Sequence, residues 1–502
     1  MEVSLVGNEI SIFEKNYEQI FRKEEMLDCV VPDVMPDIGE ILDVTSCVFI
    51  RSKDVSQGRV KIEAECVLSV LFTPENGEGV FILPVTLPFY ISAEDSFIHA
   101  ESRCIAELTL AAAEAKMINS RKIFARAELA AQLSCYEEKI LCVTSDALCE
   151  QPLCKRSSEV TITPVTCIEE KAFVITEDYQ IPAAKGEITK ILSKTVSITP
   201  QEAKTVGSKI VFRGTISTNL CCLNSRDEIE GLDFVSSFSQ VVETGCERDV
   251  SHTALSLMPS AFYADISSNG SDHSISIQAH VVAQLTCMEN RSISCLADVY
   301  SNTCKASVRF REDEYFCAKS PFSRRETVRE IIECDSGSKI ISCRAMLSKP
   351  SVVGGEIIAE GEMRVLYCQP DGLLRRISRR ICVKSGFDIR ENEELRVDCV
   401  CMPEWSSSPT MSGIEVRAVV CMEGAVFEKV ALCSIENISL SEYEGSQADL
   451  PSAVILRASS ADSLWEIAKN NRSTVELIRS VNHLDEASEV WKKFILVPCM
   501  TR

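Results

Sequence analysis

This sequence lacks several features that would place it in a familiar class of protein. No apolar run approaches 18 residues, so we expect no membrane-spanning helix and no membrane insertion. The first residues carry Glu2, Glu9 and Glu14, and no basic segment precedes an apolar one, which argues against a secretory signal. We therefore expect the protein to stay in the cytoplasm where it is made.

Motifs of common enzyme and metal-binding classes are also missing. There is no P-loop, no Gly-x-Ser-x-Gly, no His-Glu-x-x-His and no dinucleotide-binding fingerprint. No Cys-x-x-Cys occurs, and the five histidines do not fall at zinc-finger spacing. We expect a protein that is not an enzyme and that uses no metal and no cofactor.

Basic residues are fewer than acidic residues in this sequence. The 52 Lys and Arg residues face 74 Asp and Glu residues, which gives a net charge of -22. A surface this acidic repels the phosphates of nucleic acids and of anionic lipids. We therefore expect no nucleic-acid partner.

Cysteine, in contrast, is abundant, with 25 residues. Without a secretory signal a disulfide framework is not expected, and most cysteines lie in strand-like runs, where they act as small buried hydrophobes. Oxidative cross-linking within an assembled shell is the alternative, and its candidates are Cys221 with Cys222 and Cys399 with Cys401.

Three segments of the chain repeat one pattern of alternating apolar residues, which is typical of half-buried β-strands. GRVKIEAECVLSVLF, GSKIVFRGTISTNLCC and GEIIAEGEMRVLYC begin at Gly58, Gly207 and Gly354, in steps of 149 and 147 residues. A repeat this long exceeds solenoid repeats, so each copy should form a domain with its own core.

Other features recur at the same period. Hairpin signals follow the first and third segments, at Asn76-Gly77 and Asp371-Gly372, whereas the second copy has the longer LNSRDEIEG. A phenylalanine follows each turn, and a Glu-Ile pair precedes each glycine. These residues are Phe89, Phe238 and Phe387, and the pairs begin at Glu40, Glu187 and Glu330.

These patterns predict a mainly β protein of three tandem β-sandwich-like domains and a small α+β tail. The stretch Glu107–Ala115 is predicted as a strand. The predicted segments are 1–24 (N-terminal segment), 25–155, 156–306 and 307–440 (the three copies), 441–452 (linker) and 453–499 (tail).

Two charged clusters could be mistaken for sites. Asp33 and Asp37 lie in VPDVMPDIGE, where two prolines favour a turn rather than a catalytic carboxylate pair. The arginines of LLRRISRRI favour a solvated strand face, with a contact to an acidic partner or a neighbouring copy as the alternative.

The tail has its own pattern of secondary structure. VILRA and FILVP predict two short strands, with two helices between them. Asp462 is the predicted cap of the first helix, and Ser473 opens a capping box, Ser-x-x-Glu, for the second helix, which should end near Asn482.

This βααβ tail resembles the LysM domain family. The residues that match the family pattern are Asp462, Ser463, Leu464, Trp465, Ile467, Ala468, Thr474, Val475, Ile478, Asn482, Leu484, Leu496 and Pro498. The resemblance implies a groove for N-acetylglucosamine chains between two glycine-bearing loops. Here Ala461 stands at the first glycine position, and Val490–Lys493 carries no glycine at the second. Because glycine permits close backbone approach, its loss disfavours a tight sugar groove.

A protein-binding role is the alternative for this tail. Trp491 beside two lysines suggests an exposed aromatic and basic patch, whereas Trp465 is expected to be a half-buried packing residue. The candidate surface for a ligand or partner consists of Ala461, Asp462, Ser463, Leu464, Trp465, Asn482, Leu484, Trp491, Lys492 and Lys493.

The three copies resemble the SPOCS domain family through PDVMPDIGEIL, the GRVKIEAE strand and LPFYI. Tandem SPOCS domains followed by LysM are typical of SipL-like spore coat morphogenetic proteins of spore-forming Clostridia. The resemblance implies a non-catalytic scaffold that works in the mother cell at the forespore surface. Its partners would be a SpoIVA-like coat morphogenetic ATPase and other coat proteins. The alternatives are a protein that binds peptidoglycan glycan chains at the cortex or wall, and an envelope homeostasis protein.

Overall fold

The computed structural model of this chain describes residues 3–77, 79–244, 250–269, 272–443, 451–458, 463–485 and 494–499. Strands dominate these residues and the two α-helices are short, so the prediction of a mainly β protein is confirmed. Within the described ranges, no helix is both long enough and apolar enough to cross a membrane.

The first copy consists of two antiparallel sheets. A long first strand pairs with the last strand along its whole length, from Ser4↔Leu148 to Val30↔Lys122, and the fifth strand pairs with the other edge of the last. The second, third and fourth strands form a meander. The strands are β1 (Ser4–Val30), β2 (Ile38–Ser56), β3 (Arg59–Pro74), β4 (Phe81–Glu94), β5 (Arg103–Asn119) and β6 (Lys122–Leu148).

The second copy repeats this arrangement, but each of its two long outer strands, which correspond to β1 and β6, is interrupted. β7 and β8 take the place of β1, and β13 and β14 take the place of β6. A short 3-10 turn, Ala183–Lys185, precedes the meander. The strands are β7 (Cys154–Ile162), β8 (Val165–Gln180), β9 (Ile188–Val206), β10 (Lys209–Asn224), β11 (Ile229–Glu243), β12 (His252–Asn269), β13 (Asp272–Met288) and β14 (Arg291–Tyr300).

The third copy has unbroken outer strands that pair with each other, and β18 is the central strand of its meander. Its strands are β15 (Lys305–Glu333), β16 (Lys339–Leu347), β17 (Ser351–Val353), β18 (Glu356–Cys368), β19 (Leu374–Gly386), β20 (Glu393–Thr410) and β21 (Gly413–Ser441).

In each copy the two sheets pack face to face. In the first, Leu68 and Leu87 of the meander share one core with Leu129 of β6. In the second, Ile216 meets Ile277 of β13, and in the third, Val365 meets Val416 of β21. These paired sheets agree with the sandwich-like domains expected from the alternating sequence pattern.

The repeated sequence features mark equivalent turns. Gly58, Gly207 and Gly354 occupy tight turns before the central meander strand, with φ of 74°, 62° and 58°, where glycine avoids steric strain. The hairpins predicted at Asn76-Gly77 and Asp371-Gly372 are confirmed, as is the strand at Glu107–Ala115.

One of the sequence matches was wrong. Glu40 and Glu187 lie at or beside the start of the first meander strand of their copies, but Glu330 lies inside the outer strand β15. The equivalent strand of the third copy, β16, begins at Lys339.

The predicted segments 1–24 and 441–452 both overlap strands that the structure contains at those positions. Residues 4–24, set apart in the sequence as an N-terminal segment, belong to β1 and pair with β6. At the predicted linker 441–452, β21 ends at Ser441, and residues 444–450 lie outside the described part of the chain.

The three copies close into a ring. The first meander strand of each copy packs on the strand that follows the meander in the next copy: β2 on β12, β9 on β20, and β16 on β5. Polar contacts support the junction between the third and first copies. The Arg344 guanidinium pairs with the buried Asp43 carboxylate, and Arg364 Nη1 donates to the Ala113 carbonyl at 3.0 Å. The copies therefore form one connected body in which each touches both others.

The tail is a small module with the predicted βααβ order. Its strands pair antiparallel from Ala453↔Pro498 to Arg457↔Phe494, and its helices cover one face of this two-stranded sheet. The elements are β22 (Ala453–Arg457), α1 (Leu464–Asn470), α2 (Val475–Asn482) and β23 (Phe494–Pro498).

Candidate interaction site

The N-cap of the first tail helix lies one residue after the predicted cap, Asp462. Ser463 is the N-cap, and its Oγ accepts a hydrogen bond from the Glu466 amide at 3.2 Å. The predicted cap Asp462 and its neighbour Ala461 lie outside the described residues. Adjacent serine and aspartate are equally good caps, so the sequence alone could not fix the position.

The capping box predicted at Ser473 was wrong. Thr474 caps α2, with its Oγ1 accepting from the Leu477 amide at 3.2 Å. Ser473 is buried instead, and its hydroxyl donates to the Pro498 carbonyl at 2.6 Å. It therefore ties the helix start to the second strand of the module.

Asn482, a candidate ligand residue, has a structural role. Its Nδ2 donates to the carbonyls of Ile478 and Leu496, and its Oδ1 accepts from the Leu496 amide at 2.8 Å. Leu484 is half-buried and packs on the module core. Both residues hold α2 against β23.

Trp465 joins the tail to the second copy. Its Nε1 donates to Asp298 Oδ2 at 2.7 Å, and the ring lies edge-on to Tyr300 at a centroid distance of 4.9 Å. The Arg156 guanidinium lies over the ring at 5.3 Å. The expectation that Trp465 is half-buried is confirmed, because its indole ring is held between groups of β7 and β14.

Other groups complete this contact, which we call the tail seat: Arg156, Asp298, Tyr300, Trp465 and Lys469. Lys469 Nζ lies 2.8 Å from both carboxylate oxygens of Asp298. The Tyr300 hydroxyl donates to the Ser473 carbonyl at 3.0 Å, and its ring belongs to the core of the tail. The candidate residue Trp465 thus faces the chain's own second copy, and Leu464 packs on the core of the tail.

The carboxylate of the tail seat titrates abnormally. Burial alone would raise the pKa of Asp298, but hydrogen bonds from Lys469 and Trp465 and the Lys469 charge outweigh it and lower the pKa. A carboxylate with a depressed pKa contributes stability above its ordinary pKa and loses it as the pH falls through the lowered value.

The tail seat should therefore hold at neutral and mildly acidic pH and weaken below about pH 4. At pH 7 we expect the amide hydrogens of α1 to be better protected from exchange in the wild type than in Asp298→Asn. This difference in protection should shrink below about pH 4. The measurement is hydrogen exchange with mass spectrometry, corrected for the intrinsic rate at each pH. A gap that stays constant from pH 7 to pH 3 would contradict the role of this charge.

The other face of the tail sheet is open and apolar. Ile455 is 69% exposed, Phe494 is 74% exposed and Leu496 is 36% exposed. Ile455 lies directly opposite Leu496 across the two strands, and Phe494 lies opposite Arg457. We call Ile455, Phe494 and Leu496 the open tail face. Three large apolar side chains on so small a module are typical of a binding surface.

The remaining candidates, Trp491, Lys492 and Lys493, lie outside the described residues and directly precede Phe494 in the chain. The open tail face was not among the residues predicted from the sequence. The available signal was VILRA and FILVP themselves, because both alternating positions of each strand carry apolar residues although the helices can cover only one face.

The two charged clusters have structural roles. Arg121 forms ion pairs with Asp33 and Asp37, at N···O distances of 3.1 and 3.2 Å. Both aspartates belong to the segment in which the prolines predicted a turn. The four arginines of β19 are exposed, which confirms the solvated strand face. One of them, Arg375, also lies 3.8 Å from Glu40 of the first copy.

A cavity of about 570 Å³ lies where the three copies meet. Its charged lining includes three ion pairs, Lys15 with Glu18, Lys349 with Glu107, and Arg396 with Glu394. The second of these joins the third copy to the first, so the lining contributes to assembly of the ring.

No protein-family model, curated protein or solved structure matches this chain.

Proposed function

We propose that this protein is a non-catalytic scaffold of spore envelope assembly, with tandem SPOCS domains and a C-terminal LysM domain. It works in the mother cell at the forespore surface, where its tail docks onto a SpoIVA-like coat morphogenetic ATPase and helps to encase the forespore. The sequence resemblance that supports this role covers nearly the whole chain.

The open tail face is the observation that carries this proposal. The tail seat places α1 against the second copy, and the opposite side of the module presents Ile455, Phe494 and Leu496 to solvent. A partner that covers these side chains would bury apolar area, at a gain of about 25 cal/mol per Å². A glycan ligand, in contrast, needs closely placed polar groups as well as an aromatic surface.

The test replaces Phe494 by aspartate in the full chain. Covering a carboxylate with an apolar partner surface costs free energy, so we expect affinity for the purified SpoIVA-like ATPase to fall at least tenfold, about 1.4 kcal/mol. Surface-immobilised wild type and variant, titrated with the ATPase, give the two dissociation constants.

Phe97→Asp is the matched control, because Phe97 is 62% exposed in the first copy, remote from the tail in the chain. We expect it to bind as the wild type does. Equal affinities of Phe494→Asp and wild type, or an equal loss in Phe97→Asp, would contradict docking through the open tail face.

A further inference from the structure

Two cysteines of the first copy are in direct contact. Cys104 and Cys135 lie opposite each other on β5 and β6, and their Sγ atoms are 2.6 Å apart. Directly opposed residues of antiparallel strands have Cα atoms about 4.5–5.5 Å apart, within the range that a disulfide spans. The two sulfurs can therefore bond without any change in strand register.

We propose that Cys104 and Cys135 form a redox modification site, at which hydrogen peroxide converts the dithiol into a cross-strand disulfide. The thiolate of Cys135 attacks one peroxide oxygen, which gives a sulfenic acid and releases hydroxide. The Cys104 thiol then displaces the sulfenic oxygen as water, and the S–S bond forms. The two sulfurs lose two electrons in total, and the peroxide is reduced to the level of two waters.

The surroundings make the two thiols unequal. A hydrogen bond from Cys104 lowers the pKa of Cys135, and the Lys53 charge acts in the same direction against the effect of burial. For Cys104, the same contact and burial raise the pKa. Because the thiolate is the nucleophile, this asymmetry favours Cys135 for the attack and leaves Cys104 as the resolving thiol.

The site lies at the junction between the first and second copies. Lys53 Nζ donates to the Cys104 carbonyl at 2.6 Å and to Gln284 Oε1 at 2.9 Å. Two residues beyond Cys104, the backbone of Ala106 exchanges two hydrogen bonds with the Gln284 side chain, at 3.0 and 2.7 Å. A disulfide would therefore fix β5 next to the point where it is hydrogen-bonded to Gln284 of the second copy.

The cysteines singled out in the sequence are less suited to this chemistry. Cys221 and Cys222 are neighbours on β10 and pack into different cores, and burial raises the pKa of each to about 12. Cys401 lies opposite Cys421, but a hydrogen bond with Cys399 raises the pKa of Cys401 to about 12. Cys135 is buried as well, but its pKa is lowered, whereas these thiols stay protonated and react slowly with peroxide.

Peptide mapping of the full chain tests the proposal. The reduced protein is treated with hydrogen peroxide, the peroxide is removed, and the chain is unfolded in urea so that iodoacetamide can block every free thiol. Trypsin then releases residues 104–116 and 127–139, each with a single cysteine. We expect these two peptides to be linked in most molecules. The internal control is Cys66, which is buried opposite Val48 and Leu87 and should remain a blocked thiol. Blocking of Cys104 and Cys135 to the same extent as Cys66 would overturn the proposal.

Variants separate the two steps. In Cys104→Ser the sulfenic acid of Cys135 has no resolving thiol, so a dimedone adduct should appear on peptide 127–139 under peroxide. Cys66→Ser should give the linked peptides as the wild type does. If Cys104→Ser fails to fold, the wild-type peptide map still decides the question. A dimedone adduct on wild-type Cys135 with no linked peptide would refute the disulfide.

Discussion

Asp43→Ala should lower the free energy of unfolding by about 3–5 kcal/mol, because it leaves the Arg344 guanidinium, which is only 16% exposed, without its buried partner. Asp43 is 1% exposed on β2 of the first copy, and Arg344 reaches it from β16 of the third. The pair therefore lies at a junction that closes the ring. Urea unfolding of the full chain, compared with the wild type, gives the change.

Glu40→Ala is the matched control for this result. Glu40 is on the same strand and faces Arg375 of the same third copy, but both side chains are exposed and the ion-pair distance is 3.8 Å. Exposed pairs contribute up to about 1 kcal/mol. If Asp43→Ala costs no more than Glu40→Ala, the buried pair does not hold the first and third copies together.

Trp465→Ala should release the tail from its seat. The variant loses the hydrogen bond to a charged carboxylate, worth about 1.5–3 kcal/mol, and the ring contacts with Tyr300 and Arg156. We expect a loss of at least about 2 kcal/mol in the protection of α1 and α2 amides against hydrogen exchange, with β3 and β6 unchanged.

Two further variants define this effect. Trp465→Phe keeps an aromatic ring beside Tyr300 but has no N–H for Asp298. Its amide protection should therefore lie between that of the wild type and that of Trp465→Ala. Asn470→Ala alters an exposed residue of the same helix and should leave protection unchanged. Wild-type protection of α1 in Trp465→Ala would show that the tail does not depend on this contact.

Local signals in the sequence predicted much of the fold. Gly58, Gly207 and Gly354 adopt positive φ, which turns require and which other residues resist, so the repeat could be recognised from them. The βααβ order of the tail was visible for a similar reason, because helix and strand periods differ.

The missed features depend on contacts between distant parts of the chain. Most residues of β1 are exposed or half-buried, so its sequence does not alternate clearly; pairing with β6 makes it a strand. The Trp465–Asp298 bond joins residues 167 positions apart, and the Arg344–Asp43 pair joins residues 301 apart. Such pairings follow from closure of the ring and from the seating of the tail, which no local pattern encodes.

The most direct test of the proposed function compares two bindings of the purified full chain: co-sedimentation with purified sacculi, and capture on the immobilised, purified SpoIVA-like ATPase. We predict a complex of the chain with the ATPase and no pelleting of the chain with sacculi alone. Saturable pelleting with sacculi that chitin oligomers reverse, without a complex with the ATPase, would contradict the scaffold and assign the tail to glycan.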